Sequence, residues 1–228
     1  MHLVTRQAAA TDPWYADFTS LGLKSNIAVF DFETSGLDPK EDRPIEAALI
    51  RITPDGHYTE FSTLIHYPKF LSAKITEITG ITNVMLAGQP DYEVAMEALY
   101  KHMGLCVLGK DSNTWLVGHN ILKFDMEFLR QFTMVKYRKP ADLKYWDTAG
   151  HYKAAALNLV REPKESFHSY HMRALNTRAK GLYFKLTLCC DQFGIPTAGA
   201  HRALDDVKMT LALFLKQCLQ MKQQRTVA

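Results

Sequence analysis

Residues 27–30 form a short apolar run that ends in Asp31-Phe32-Glu33, and this junction constrains the chain more than any other stretch. The run reads as a buried central strand. Side chains alternate along a strand, so Asp31 and Glu33 point to one face and Phe32 to the other. Two carboxylates side by side at the end of a buried strand repel each other. The arrangement is costly unless a cation sits between them. Residues 34–39 (Thr-Ser-Gly-Leu-Asp-Pro) then turn the chain sharply, with Gly36 and Pro39 as turn residues. Taken alone, Asp-x-Glu fits equally well a strand that runs into an exposed acidic loop, so the remaining sequence has to decide.

A chain of 228 residues is expected to form one domain. Residues 44–52 and 58–66 read as second and third strands joined by a turn at Asp55-Gly56, giving an antiparallel meander. A short helical turn falls within 75–82. Asp91 is the expected N-cap of a helix in which Val94, Ala95, Ala98 and Leu99 recur at helical spacing. Residues 115–117 read as another buried strand and 124–132 as a helix. A helix is expected from Asp147 to about Val160, a polar loop over 161–170, and a helix over 182–193 that stops before Pro196. The last helix is expected over 203–220, its stripe formed by Leu204, Val207, Leu211, Phe214, Leu215 and Cys218. Strands first and then helices mixed with further strands imply an α/β layer around one mixed sheet. Residues 1–25 read as a polar lead-in, flexible in part, and 223–228 as a short tail.

The net charge is +3, but it is uneven. Residues 136–185 hold 11 Lys or Arg against 4 Asp or Glu, so the rest of the chain is acidic. A basic half beside an acidic site suits a polyanion such as nucleic acid, although a solvated surface loop has the same composition. Within it Arg161, Lys164, Arg173, Arg178 and Lys180 are interleaved with Phe167, Tyr170 and Tyr183, a composition suited to phosphates and stacked bases. Cys106, Cys189, Cys190 and Cys218 make no zinc-spaced pair, and the neighbouring Cys189 and Cys190 read as packing residues. This usage suits a reducing compartment such as the cytoplasm. No apolar run is long enough for a membrane span.

Three further pieces accompany Asp31 and Glu33, one of them the basic, aromatic segment that opens at Lys136-Tyr137-Arg138-Lys139. Gly118-His119-Asn120 follows a strand, and Asp125 stands in the first turn of the next helix. His201 precedes the last helix and Asp206 lies one turn into it, at the margin of its buried face. An acid in a first helical turn is also what the helix dipole favours, so each piece is weak alone. Together they give four carboxylates and one histidine at strand ends and helix starts, where ligands of open α/β sheets gather. Carboxylates without cysteine select hard ions such as Mg²⁺ or Mn²⁺, and four suffice for two ions.

Asp31-x-Glu33, His119-Asn120-x4-Asp125 and His201-x4-Asp206 resemble the three motifs of the DEDDh family of 3′–5′ exonucleases. The stretches DFETSGL, VGHN…FD…FL and GAHRALDDV are most similar to its proofreading, epsilon-type branch, and the likeness covers about residues 26–220 in order. The resemblance implies a ribonuclease-H-like exonuclease fold over 26–222, with a central mixed five-stranded sheet flanked by helices. It implies metal-dependent hydrolysis at the 3′ end of single-stranded DNA, releasing nucleoside 5′-monophosphates. The same motifs serve RNA-directed members, and a non-catalytic nucleic-acid-binding accessory is the remaining alternative. By resemblance, Asp31, Glu33 and Asp206 hold one ion, Asp31 bridges to a second, and Asp125 supports it. His201 takes a proton from the attacking water. Thr34, Ser35, Gly36, Leu37 and Asn120 meet the substrate. The implied partners are 3′ ends of DNA or RNA and a DNA polymerase, and a homodimer is compatible with the pattern. Asn120 and Asp125 are separated by four residues where many proofreading members have three, and the segment 160–182 is longer than in compact relatives.

Overall fold

The computed structural model describes residues 1–105, 113–137, 144–198 and 201–227. In chain order its elements are β1 (His2–Gln7), α1 (Tyr15–Leu21), β2 (Asn26–Thr34), β3 (Pro44–Ile52), β4 (His57–Leu64), α2 (Ala73–Thr79), α3 (Asn83–Leu86), α4 (Tyr92–His102), β5 (Thr114–Gly118), α5 (Asp125–Tyr137), β6 (Lys144–Asp147), α6 (Thr148–Ala156), α7 (Phe167–Asn176), α8 (Leu186–Gln192) and α9 (Ala203–Val227). The strands form one mixed sheet in the order β1-β4-β3-β2-β5-β6. β2 pairs antiparallel with β3 and parallel with β5, and so lies inside the sheet.

Alternation along β2 divides the core. Ala28, Phe30 and Phe32 pack with Met96 and Leu99 of α4 and with Phe128 and Leu129 of α5. Ile27 and Val29 pack on the other face with Val207, Leu211 and Phe214 of α9. Helices thus cover both faces, which is why β2 and β3 read as almost continuous apolar runs. Asp31 and Glu33 follow the parity of Val29 and emerge on the α9 face, while Phe32 is buried on the other, as alternation requires.

The sheet has six strands, one more than the resemblance implied and two more than the sequence located, β6 being one of the two. The other is the edge strand β1, in residues expected as a lead-in. Its side chains are almost all exposed, so it carries no alternating apolar pattern to read. It is held by backbone pairing to β4, from His2↔Ser62 to Gln7↔His57. Trp14 and Phe18 then fold onto the α9 face. The Trp14 ring stacks on Tyr58 at 5.7 Å, and the Arg6 guanidinium lies 4.3 Å from the centroid of the same Tyr58 ring.

Other boundaries also differ. β6 runs to Asp147, and α6 starts after it and stops at Ala156. The polar stretch expected as a loop contains the start of α7, capped by the Ser166 hydroxyl, which accepts from Ser169 N at 3.1 Å. Its buried face is Tyr170, His171 and Ala174, which an aliphatic periodicity misses. α8 is shorter than expected, and α9 runs beyond Gln220 to Val227, through most of the expected tail. Cys189 and Cys190 are fully buried packing residues, whereas Cys106 lies outside the described residues. No helix among the described residues is long and apolar enough to cross a membrane.

If the N-terminal residues are integral to the fold, Trp14→Ala destabilises the protein by about 3–5 kcal/mol, the usual cost of deleting a buried large aromatic side chain. Urea unfolding followed by far-UV circular dichroism measures this. A change near zero would return residues 1–25 to a peripheral role.

Candidate active site

At the end of β2 one oxygen each of Asp31, Glu33 and Asp206 lies within 4.8 Å of the others. The strand supplies the first two through its alternation, and the first turn of α9 lays Asp206 across them. Burial raises the Asp31 carboxyl well above its ordinary value, reinforced by the charges of Asp125, Asp206 and Glu33. Glu33 is pushed up to about 8, first by burial and then by Asp206, Glu46 and Asp125, with Arg202 opposing. Asp206 is raised mainly by burial, against a hydrogen bond from His201 N at 3.3 Å. Oxygen donors alone, mutually repelling and converging on one point, are a donor set for a hard divalent cation. These residues therefore fit the metal that the sequence motifs imply.

Asp125 is buried at the start of α5 and lies outside that set of three. Its Oδ1 accepts from Phe32 N at 3.1 Å, so it is tied to the backbone between the two strand acids. Its carboxyl is also raised, chiefly by burial. The loop that delivers it is built around Asp147, a fully buried carboxylate that sequence reasoning used only as a helix start. Asp147 accepts from Asn120 N (3.1 Å), Leu122 N (3.1 Å) and Gly150 N (2.9 Å), and burial holds its carboxyl up at about 6 against these hydrogen bonds. Asn120 sits at φ 62°, a left-handed conformation that Asn tolerates better than most residues. At Gly118 a Cβ would run into Ile121 and come within 3.1 Å of Phe30 O, so β5 can end in this tight loop only with glycine there. His119 is spanned between the Thr148 hydroxyl (2.9 Å) and Phe184 O (2.7 Å), and burial lowers its imidazole to about 4. It is a neutral brace.

His201 is exposed just before α9, at φ 75°, a strained conformation for a residue with a Cβ. It is near enough to Asp206 for its charge to lower that carboxyl. Arg202 and Ala203 after it are fixed by Glu46 of β3. The Glu46 carboxylate accepts from Arg202 Nε (3.2 Å), Arg202 Nη2 (2.8 Å) and Ala203 N (3.1 Å). Glu46 lies outside the three motifs, yet the sequence holds a sign of it: it is the only acid in the strand PIEAALIRI, whose one other charged residue is Arg51.

The turn after Glu33 is bonded to itself. The Thr34 hydroxyl donates to Gly36 O at 2.6 Å, and the Ser35 hydroxyl donates to Asp42 Oδ1 at 3.0 Å. A Cβ on Gly36 would collide with the Asp42 carboxylate. Leu37 projects from this turn, 80% exposed. Less of the basic segment is available than its composition suggested. Arg173 pairs with Glu165 at 2.8 Å and donates to Val160 O at 2.9 Å, and Arg161 donates to Glu165 O. Tyr170 is buried with its hydroxyl on Leu159 O, and Phe167 packs on Trp146. Lys136 and Tyr137 close α5, and residues 138–143 lie outside the described residues.

Residues 28–214 match the sequence profile of the RNase_T family, described as "Exonuclease". The chain is 26% identical over 197 residues to DNA polymerase III subunit epsilon of Aquifex aeolicus, covering 85% of this chain and 81% of that one. It is 30% identical over 198 residues to DNA polymerase III PolC-type of Thermotoga maritima, covering 87% of this chain but only 12% of that one. Among solved structures, E. coli exonuclease I in complex with a dA16 oligonucleotide superposes with a TM-score of 0.64 at 21% identity, over 88% of this chain and 42% of that one. That likeness concerns the fold, which is of the ribonuclease-H-like exonuclease kind. With the match spanning both strand acids, Asp125 and Asp206, the chain belongs to the RNase_T exonuclease family and is a 3′–5′ exonuclease of the epsilon type.

Proposed function

We propose that the enzyme removes nucleotides from the 3′ end of single-stranded DNA, free or presented by a polymerase, and releases nucleoside 5′-monophosphates. The observation that carries this reading is the convergence of Asp31, Glu33 and Asp206 at one strand end, with Asp125 tied in behind them. Asp31, Glu33 and Asp206 would hold Mg²⁺ or Mn²⁺, and Asp125 would help Asp31 to hold a second ion. When bound, the two ions neutralise the scissile phosphate and stabilise the charge that builds during attack.

The remaining roles fall to the chain itself. Imidazole suits proton transfer near neutral pH, so His201 takes the proton of the attacking water. As the water oxygen bonds to phosphorus, the bond to the upstream 3′-oxygen breaks; that oxygen keeps the electron pair and takes a proton from solvent water, and His201 returns its own proton to solvent. Backbone amides of residues 34–37, apart from that of Ser35, which donates to Arg43 O, receive the terminal 3′-hydroxyl, Leu37 wedges against the last base, and Asn120 holds the strand. The exposed position and left-handed backbone of His201 support a side chain that swings in when substrate arrives.

Digestion of end-labelled single-stranded DNA, duplex DNA and RNA, with Mg²⁺, Mn²⁺ or chelator, tests this reading. Single-stranded DNA is expected to shorten from its 3′ end only when a divalent ion is present. Asp31→Asn is expected to lower the rate by about two to three powers of ten, the scale of losing one preorganised charge-stabilising group. Faster digestion of a matched RNA would reassign the substrate, and an Asp31→Asn protein of parental activity would remove the site.

The acids also set a pH dependence of stability. The ordinary value for Glu33 is 4.5, and the folded protein holds it at about 8. Between these values the folded chain keeps a proton that the unfolded chain has released, so stability falls as pH rises through this window. Without a divalent ion, the thermal midpoint is expected to drop by several degrees from about pH 5 to about pH 9, and Mn²⁺ at the upper end should restore it. A midpoint that rises with pH in chelator would contradict this electrostatic account.

A further inference from the structure

Glu46 is a buried carboxylate beside the acid cluster, but it is not one of the three oxygens that converge there. In the β2–β3 register it stands directly opposite Glu33, where a register shift between Glu33 and Thr34 interrupts the pairing. Residues directly opposite in an antiparallel pair share a face, so Glu46 points toward α9 as Glu33 does. Arg202 meets it with two nitrogens, the fork geometry that fixes orientation as well as distance. The third donor is Ala203 N, in the first residue of α9. A helix start normally draws such an acceptor from its own N-cap side chain, and here a neighbouring strand supplies it.

We propose that Glu46 and Arg202 act as a positioning pair, which locks the first turn of α9 to β3 so that Asp206 completes the metal-binding acids and His201 is held beside them. This role rests on the function proposed above. The helix ladder begins at Asp206 N, which donates to Arg202 O at 3.0 Å, so the clamp acts on the same turn that carries Asp206. One residue of helical slip turns a side chain by about 100°, which would swing Asp206 away from Asp31 and Glu33. Arg202 also opposes, beside Glu33, the charge that Glu46 adds there.

Position and charge separate in a double variant. Glu46→Gln with Arg202→Met removes one charge of each sign and leaves the net charge at the site unchanged, while the three-donor clamp is lost. Mn²⁺ binding measured by calorimetry is expected to weaken by about tenfold or more in Arg202→Met and in the double variant, the scale seen when residues that orient metal ligands are replaced. Turnover at saturating Mn²⁺ is expected to fall by a similar factor, with the oligonucleotide KM within about threefold of the parent. Arg202→Lys, which keeps the charge and one donor, should recover part of the Mn²⁺ affinity. Circular dichroism at the assay temperature confirms that the proteins compared are folded.

Parental Mn²⁺ affinity in the double variant overturns the proposal, because charge balance alone would then suffice. A lowered thermal midpoint with affinity and kcat intact overturns it in favour of a purely stabilising strut. A raised KM with kcat intact overturns it by making Arg202 a phosphate contact. A parent protein without Mn²⁺ affinity overturns the proposed function along with this role, so the two failures are distinguishable.

Discussion

A carboxylate taken out of water has to be compensated, and the protein does this in different ways around a single strand end. Asp147 is compensated by three backbone amides. Glu46 is compensated by a guanidinium and one amide. Asp125 has the amide of Phe32. Asp31 and Glu33 stand apart, because among the described residues no donor reaches either carboxylate and their neighbours are mostly other acids. Burial and repulsion therefore remain uncorrected where the exonuclease motifs meet. The compensated acids are scaffold, and the uncompensated ones have free oxygens to offer a cation.

The sheet makes this concentration possible. β2 lies between an antiparallel and a parallel neighbour, so its C-terminal end is approached from both sides. From β3 comes Glu46, facing Glu33 across the ladder. From β5 comes the tight loop through Gly118 and Asn120, which starts α5 with Asp125 against the Phe32 amide. α9 then crosses β2 and β3 on the face to which Asp31 and Glu33 point. The small Ala48, paired with Asp31, is buried with Ala203 in the same cluster, so the helix start lies close against the strand. Four chain segments, far apart in sequence, thus reach one point through ordinary strand and helix geometry.

What could be read before the fold was known follows from where physical signals are local. Asp31, Glu33, Asp125 and Asp206 stand beside apolar runs of clear period, so their elements and faces were legible, and the order of the motifs supplied the rest. β1 was invisible because an edge strand held by backbone pairing needs no side-chain alternation. α7 was hidden because its buried face is Tyr170, His171 and Ala174 in a polar stretch. The basic segment misled for a related reason, since composition counts Arg161 and Arg173 but cannot show that Glu165 engages both. Asp147 and Glu46 were missed because their partners are distant in sequence: amides 25 and 27 residues away for one, and an arginine 156 residues away for the other.

The turn that follows the strand acids explains how a flexible-looking sequence can serve a site that demands fixed geometry. Thr34, Ser35 and Asp42 spend their polar groups on the turn itself, and Asp42 also accepts from Asp38 N at 3.0 Å. Ser35 N donates to Arg43 O at 2.9 Å and Arg43 N returns to the Ser35 hydroxyl at 3.1 Å, which closes the two ends of the turn together. Gly36 is required because a side chain there would meet the Asp42 carboxylate. The turn is therefore prefolded, and the entropy of ordering it is already spent before any strand of nucleic acid arrives. Against that fixed base Leu37 is left in water, where an isolated leucine gains nothing from the fold. A rigid turn that presents one apolar side chain beside a cluster of acids has the parts that the proposed wedge requires: a contact for a base face, and no polar side chain committed to reading which base it is.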